Sequence, residues 1–168
     1  MRLLIADKLH PRAIEELRSG IAAGYADRAR SFAIVPFSAI TLFAGFFTAA
    51  LFNIARPEAH KRLILLATVA LLQAAMARVF FFIHVGMVPG ARPGIGMPPP
   101  VTLSVLPSFC LEILIVAGMV YDWRTRGRPH VAWVLGAGLL AVEIVGRTLV
   151  ASTPGWLGAA DFLARVAG

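Results

Sequence analysis

Four stretches, each about 20 residues long and nearly free of charge, decide what this chain can become. They cover residues 32–52, 63–85, 101–121 and 131–151. A hydrocarbon core of about 30 Å needs roughly 20 apolar residues of helix to cross it. Inside that core every backbone N–H and C=O must be paired within the protein, so only helices and closed barrels can span it. Barrel strands alternate apolar and polar over about ten residues, and these stretches are longer and uniformly apolar. The expected fold is therefore all-α: an integral membrane four-helix transmembrane bundle with antiparallel neighbours.

Composition agrees. The chain is 58% hydrophobic and 15% charged, against about 45–50% and 25% in soluble domains. That excludes an ordinary soluble domain, a disordered chain and a fibrous repeat. A length of 168 residues suits one compact domain. The single cysteine, Cys110, excludes an intramolecular disulfide and a cysteine-based zinc site, and reads as a small buried hydrophobe. The net charge is +7. Its cations lie beside the apolar stretches, where they orient helices and meet anionic head groups, so the expected partner is the lipid bilayer and no nucleic acid is implied.

Three regions follow from this pattern: an N-terminal segment 1–31, a transmembrane domain 32–151 and an interfacial tail 152–168. The connections 53–62 and 122–130 carry Arg56, Lys61, Arg62, Arg124, Arg126 and Arg128. The Gly/Pro loop 86–100 and the tail carry only Arg92 and Arg165. The positive-inside rule then places the two basic turns in the cytoplasm and both ends of the bundle outside, as for an inner (cell) membrane protein. In the tail, Thr153 and Pro154 can start a short helix. It would set Trp156, Leu157, Phe162 and Leu163 at the interface.

Segment 1–31 conflicts with that orientation, because it holds six cations, Arg2, Lys8, Arg12, Arg18, Arg28 and Arg30. Residues 1–7 read as a short strand, and Pro11 marks a helix start. MRLLIADKLHPRAIEELRSG resembles the opening strand, turn and helix of D-3-phosphoglycerate dehydrogenases. No G-x-G-x-x-G follows, so the resemblance implies no dehydrogenase activity here. It implies a fused or misassigned start. A second resemblance covers residues 56–157. His60-Lys-Arg-Leu-Ile-Leu-Leu-Ala-Thr68 and Tyr121-Asp-Trp-Arg-Thr-Arg-Gly-Arg-Pro-His130 resemble signatures of a bacterial multi-pass membrane protein family without an established activity. It implies an integral membrane protein and no particular chemistry.

Ionisable residues inside a span are functional candidates. Arg78, Glu112, Glu143 and Arg147 qualify. At about 1.5 Å per residue, all four sit at middle to outer depth. Glu143 and Arg147 are spaced i, i+4 and share a helix face. Arg78 is expected to reach Glu112 on the next helix, with Gln73 able to join. The set is neutral overall, as burial demands. Its expected role is structural, holding three helices together. The alternative is a polar path for an anion, quinone or proton.

His60 and His130 start the second and fourth spans at one depth. Two such histidines are what bis-imidazole haem b ligation requires. With Asp122 or Glu58 they could instead form a two-histidine, one-carboxylate metal site. The plainer alternative is head-group contact or a hydrogen bond to Asp122 or Glu58. Gly45-x-x-x-Ala49 and Ala137-x-x-x-Ala141 permit close helix contact. No phosphate loop, H-E-x-x-H or nucleophile elbow is present. The expected function is thus a non-enzymatic membrane subunit or small carrier. A haem- or quinone-binding redox protein and a small oligomeric transporter are the alternatives.

Overall fold

The fold comes from a computed structural model, which describes residues 11–85 and 98–167. The strand expected over residues 1–7 and most of the Gly/Pro loop lie outside the described residues. Six helices follow in order: α1 (Pro11–Phe32), α2 (Ile34–Phe52), α3 (Pro57–Val85), α4 (Val105–Arg126), α5 (Val131–Val150) and α6 (Pro154–Ala167). A 3₁₀ turn, Val101–Ser104, leads into α4. No strand occurs among the described residues.

Local chemistry sets most of the boundaries. Proline opens α1, α3 and α6, where its missing N–H has no partner to lose. Pro36 also explains the break between α1 and α2. It cannot donate to the carbonyl of Phe32, and its ring crowds that carbonyl, so α1 stops there. The interruption is slight. Ala33 still donates to Ala29 O at 3.0 Å, and Phe37 donates to Ala33 O at 3.2 Å. Gly127 ends α4 at φ 75°, donating back to Trp123 O at 2.9 Å, a left-handed cap that favours glycine. Thr153 Oγ1 accepts from Trp156 N at 3.3 Å and starts α6, as the tail sequence predicts.

Four segments are long and apolar enough to cross a membrane: Ala22–Phe52, Pro57–Phe80, Val101–Arg126 and Val131–Val150. The chain is a four-span helical bundle of the membrane type. The first segment begins inside the N-terminal region, because α1 runs almost directly into α2 and the boundary expected at residue 31 falls within α1. In each segment only 28% of the most apolar window is buried. Leu72, Ile83, Ile113, Leu135 and Leu149 therefore face outward, where hydrocarbon would cover them.

Inside lipid the apolar side chains gain little from leaving solvent, so close packing must hold the helices together. Glycine provides it twice. A Cβ on Gly118 would lie 2.6 Å from the Trp133 ring, and one on Gly136 would lie 2.3 Å from Leu66 Cδ1. These two positions bring α4 and α3 against α5. Around them sits the core of Phe46, Leu66, Ala70, Leu111, Ile115, Trp133 and Leu140. Among the described residues no atom lies within 4 Å of a Cβ placed on Gly45, so Gly45 itself makes no close helix contact there.

At the end opposite the basic turns, α6 lies against α1. Trp156 Nε1 donates to Arg30 O at 3.0 Å, and Arg30 Nε meets Asp161 Oδ1 at 3.0 Å. The Trp156 ring also tilts against Phe37, with centroids 5.8 Å apart. Phe162, Leu163 and Val166 of α6 remain exposed.

Candidate functional site

Two buried polar clusters join the spans, one toward each end of the bundle. The first centres on Arg147, whose side chain is 1% exposed. Its Nη1 donates to Gln73 Oε1 at 2.9 Å and to Glu143 Oε1 at 3.3 Å. Its Nη2 donates to Ser104 O at 3.0 Å and to Ser108 Oγ at 2.6 Å. Ser38 Oγ donates to the same Glu143 oxygen. Ser38 is on α2, Gln73 on α3, Ser108 on α4, and Glu143 and Arg147 on α5. The guanidinium thus draws together α3, α4 and α5, and Glu143 adds α2 through Ser38. Arg147 Nε and Glu143 Oε2 are buried without a hydrogen-bond partner among the described residues.

Of the four candidates, then, Glu143 and Arg147 pair as expected, and Gln73 joins them. Arg78 does not. It is exposed and donates to Ala74 O of its own helix at 3.2 Å. Five residues separate it from the buried Gln73, which turns it about 140° around α3 and away from the core. Glu112 consequently lacks the expected cation. Its Oε1 is buried with no partner among the described residues. Ser38, Ser104 and Ser108 went unforeseen. Their signal is faint: lone hydroxyl residues in apolar helix, near the depth of an internal arginine.

The second cluster lies at the basic-turn end and was not foreseen. Arg62 is 6% exposed and Asp122 is 1% exposed. Arg62 Nε donates to Asp122 Oδ2 at 2.8 Å, and its Nη2 reaches Asp122 Oδ1, a two-pronged contact between α3 and α4. Arg62 Nη1 also meets Glu58 Oε2 at 2.8 Å, and Arg126 reaches that same oxygen. The amide of His130 donates to Asp122 Oδ2 at 3.2 Å, which ties in the start of α5.

His60 and His130 stand at this end but serve the backbone. His60 Nδ1 lies 2.8 Å from Ala50 O. A carbonyl only accepts, so Nδ1 carries the proton and Nε2 keeps its lone pair. His130 Nδ1 accepts from Ala132 N at 3.1 Å and caps α5. In the neutral ring its proton is therefore on Nε2. Haem b ligation through both Nε2 atoms would suit His60 as it stands but would require His130 to give up its Ala132 cap. The expected two-histidine, one-carboxylate site is not formed. No group of three His, Cys, Asp or Glu residues among the described residues could hold a metal ion. Asp122 and Glu58 are instead bonded to arginines.

Comparison with known proteins adds no identity. No family model, no curated protein and no solved structure matches the chain.

Proposed function

We propose that the chain is a non-enzymatic integral membrane protein, a subunit or small carrier, whose Arg147–Glu143 cluster is structural. One observation carries this reading. Four of the five N–H donors of the Arg147 guanidinium are taken by groups of its own protein, drawn from three helices and the 3₁₀ turn. A guanidinium so occupied has little left for a passing anion or quinone. The resemblance of residues 56–157 to a bacterial membrane protein family supports only the membrane part of this reading. The cation distribution supports an inner (cell) membrane location with turns 53–62 and 122–130 in the cytoplasm.

A second reading, a small oligomeric transporter, rests on Glu112, the one part-buried carboxyl among the described residues that no cation holds. Proton flux into proteoliposomes loaded with a pH-sensitive dye separates the two. The structural reading expects the leak of protein-free vesicles. A flux that vanishes in Glu112→Gln, with the fold intact, would establish transport instead.

Orientation has its own check. In a Cys110→Ala background, Thr125→Cys and Ser152→Cys place one exposed thiol at each end. An impermeant maleimide added to intact spheroplasts should label Ser152→Cys and leave Thr125→Cys unlabelled. The reverse pattern would invert the topology.

A further inference from the structure

At the basic-turn end an open cleft of about 500 Å³ lies between the start of α3 and the start of α5. Its walls are mainly apolar: Pro57, Ala59, Leu63, Val131 and Ala132. Asn53, Arg56, Glu58 and His130 complete the lining. The acid among them is neutralised, since Glu58 is held by Arg62 and Arg126. The other acid nearby, Asp122, is buried against Arg62. Those contacts account for two of the six cations of these turns. Arg56, Lys61, Arg124 and Arg128 are exposed and form no ion pair among the described residues. Positive charge thus remains in and around a cleft whose walls are apolar, at the ends of spans that would meet a bilayer surface. In lipid, each such cation adds attraction for an anionic head group. The apolar wall can cover the glycerol and upper acyl carbons of the same molecule, as an amphiphile requires and a free anion does not.

We propose that this cleft is a binding site for an anionic phospholipid, whose phosphate sits against Arg56 and whose glycerol end packs on Val131 and Ala132. The proposal rests on the reading that the basic turns lie at a bilayer surface. Its occupant is the lipid head group, although inorganic phosphate shares the charge.

The test uses the full chain, purified in detergent from alkali-washed membranes. Recovery from those membranes secures the membrane reading by itself; absence from them would overturn that reading and leave the site unsupported. Native mass spectrometry then counts lipids retained from an equimolar mixture of phosphatidylglycerol and phosphatidylcholine. Retention should favour phosphatidylglycerol. Arg56→Gln should weaken that retention about five-fold, the share of one cation near the surface. Val131→Trp, at an exposed position, should block the cleft without changing charge. Arg165→Gln, on α6 at the opposite end, should change nothing. Equal retention of both lipids, unaltered binding in Arg56→Gln, or an equal loss in Arg165→Gln would overturn the site. Competition by millimolar inorganic phosphate would assign it to a free anion instead. Should Val131→Trp fail to fold, Arg56→Gln against Arg165→Gln still decides.

Discussion

Arg147→Met should be among the most damaging single substitutions in the bundle. The change removes the guanidinium donor from Gln73 Oε1, Ser104 O and Ser108 Oγ, leaves the single Ser108 hydroxyl to serve the first two, and strands Glu143 as an unpaired carboxylate. Interhelical hydrogen bonds in membrane proteins average about 0.6 kcal/mol, so the three to Gln73, Ser104 and Ser108 account for roughly 2 kcal/mol. Breaking a buried ion pair from one side costs about 3–5 kcal/mol, because a charge is left behind. The larger figure should govern, since Glu143 is only 10% exposed and has one remaining donor, Ser38. Taking about 3 kcal/mol at roughly 2–4 °C per kcal/mol, the Tm in detergent should fall by about 10 °C. Adding Glu143→Gln removes the stranded charge and keeps an acceptor for Ser38. The double variant should therefore recover more than half of the loss. A single variant as stable as the parent would show that the cluster does not hold the helices together. Equal loss in both variants would assign the cost to hydrogen bonds rather than charge.

The spans are plain in the sequence because their signal is redundant. About twenty consecutive apolar residues leave no other backbone solution in lipid. The Glu143–Arg147 pair is plain for a similar reason, since i, i+4 spacing places both on one face whatever the neighbouring helices do. Arg78 shows where such reading stops. Its depth along α3 suits Glu112, but its angle about the axis does not, and angle is decided by which residues of α3 turn inward. Leu66, Ala67, Val69, Ala70 and Gln73 form that inward face. Only packing reveals it, since α3 is apolar on nearly every side. Pro36 was a local signal for the end of α1. It is easily passed over because Ala33 and Phe37 carry the helix across the break.

The basic turns conceal a different division of labour. His60-Lys61-Arg62 reads as one run of charge that marks the cytoplasmic side. Successive helical residues differ by about 100°, so such a run cannot act as a unit. Lys61 is exposed, whereas Arg62 turns inward to Asp122. Likewise Asp122 reads as the first residue of a hydrophilic turn, yet it is among the most buried residues of the chain. The same segment therefore both orients the helices and ties them together. Composition can report the first role and is blind to the second. The backbone bonds of His60 and His130 lie at the same level of detail. Equal depth is visible in the sequence, and the direction in which each ring nitrogen bonds is not.

Asp122→Asn is the sharper probe of that tie, because it keeps the shape and removes only the charge. Asp122 accepts from Arg62 Nε and Nη2 and from the His130 amide. An asparagine keeps one acceptor oxygen and turns an NH₂ toward the guanidinium. One of the two Arg62 prongs is then lost, and a donor faces a donor. Arg62 would remain 6% exposed with only Glu58, itself shared with Arg126, to balance it. A loss of about 3 kcal/mol is expected, near the low end for a buried pair broken from one side, because Glu58 compensates in part. Arg62→Gln/Asp122→Asn should be more stable than Asp122→Asn alone, since no buried charge is left unpaired. Glu58→Gln should cost far less than Asp122→Asn, as its side chain is 43% exposed and its pairs are solvent-screened. Thermal melts of the four proteins in one detergent read all these differences. If Asp122→Asn and Glu58→Gln cost the same, the buried pair contributes no more than the exposed one. The join between α3 and α4 at this end would then rest on apolar packing alone.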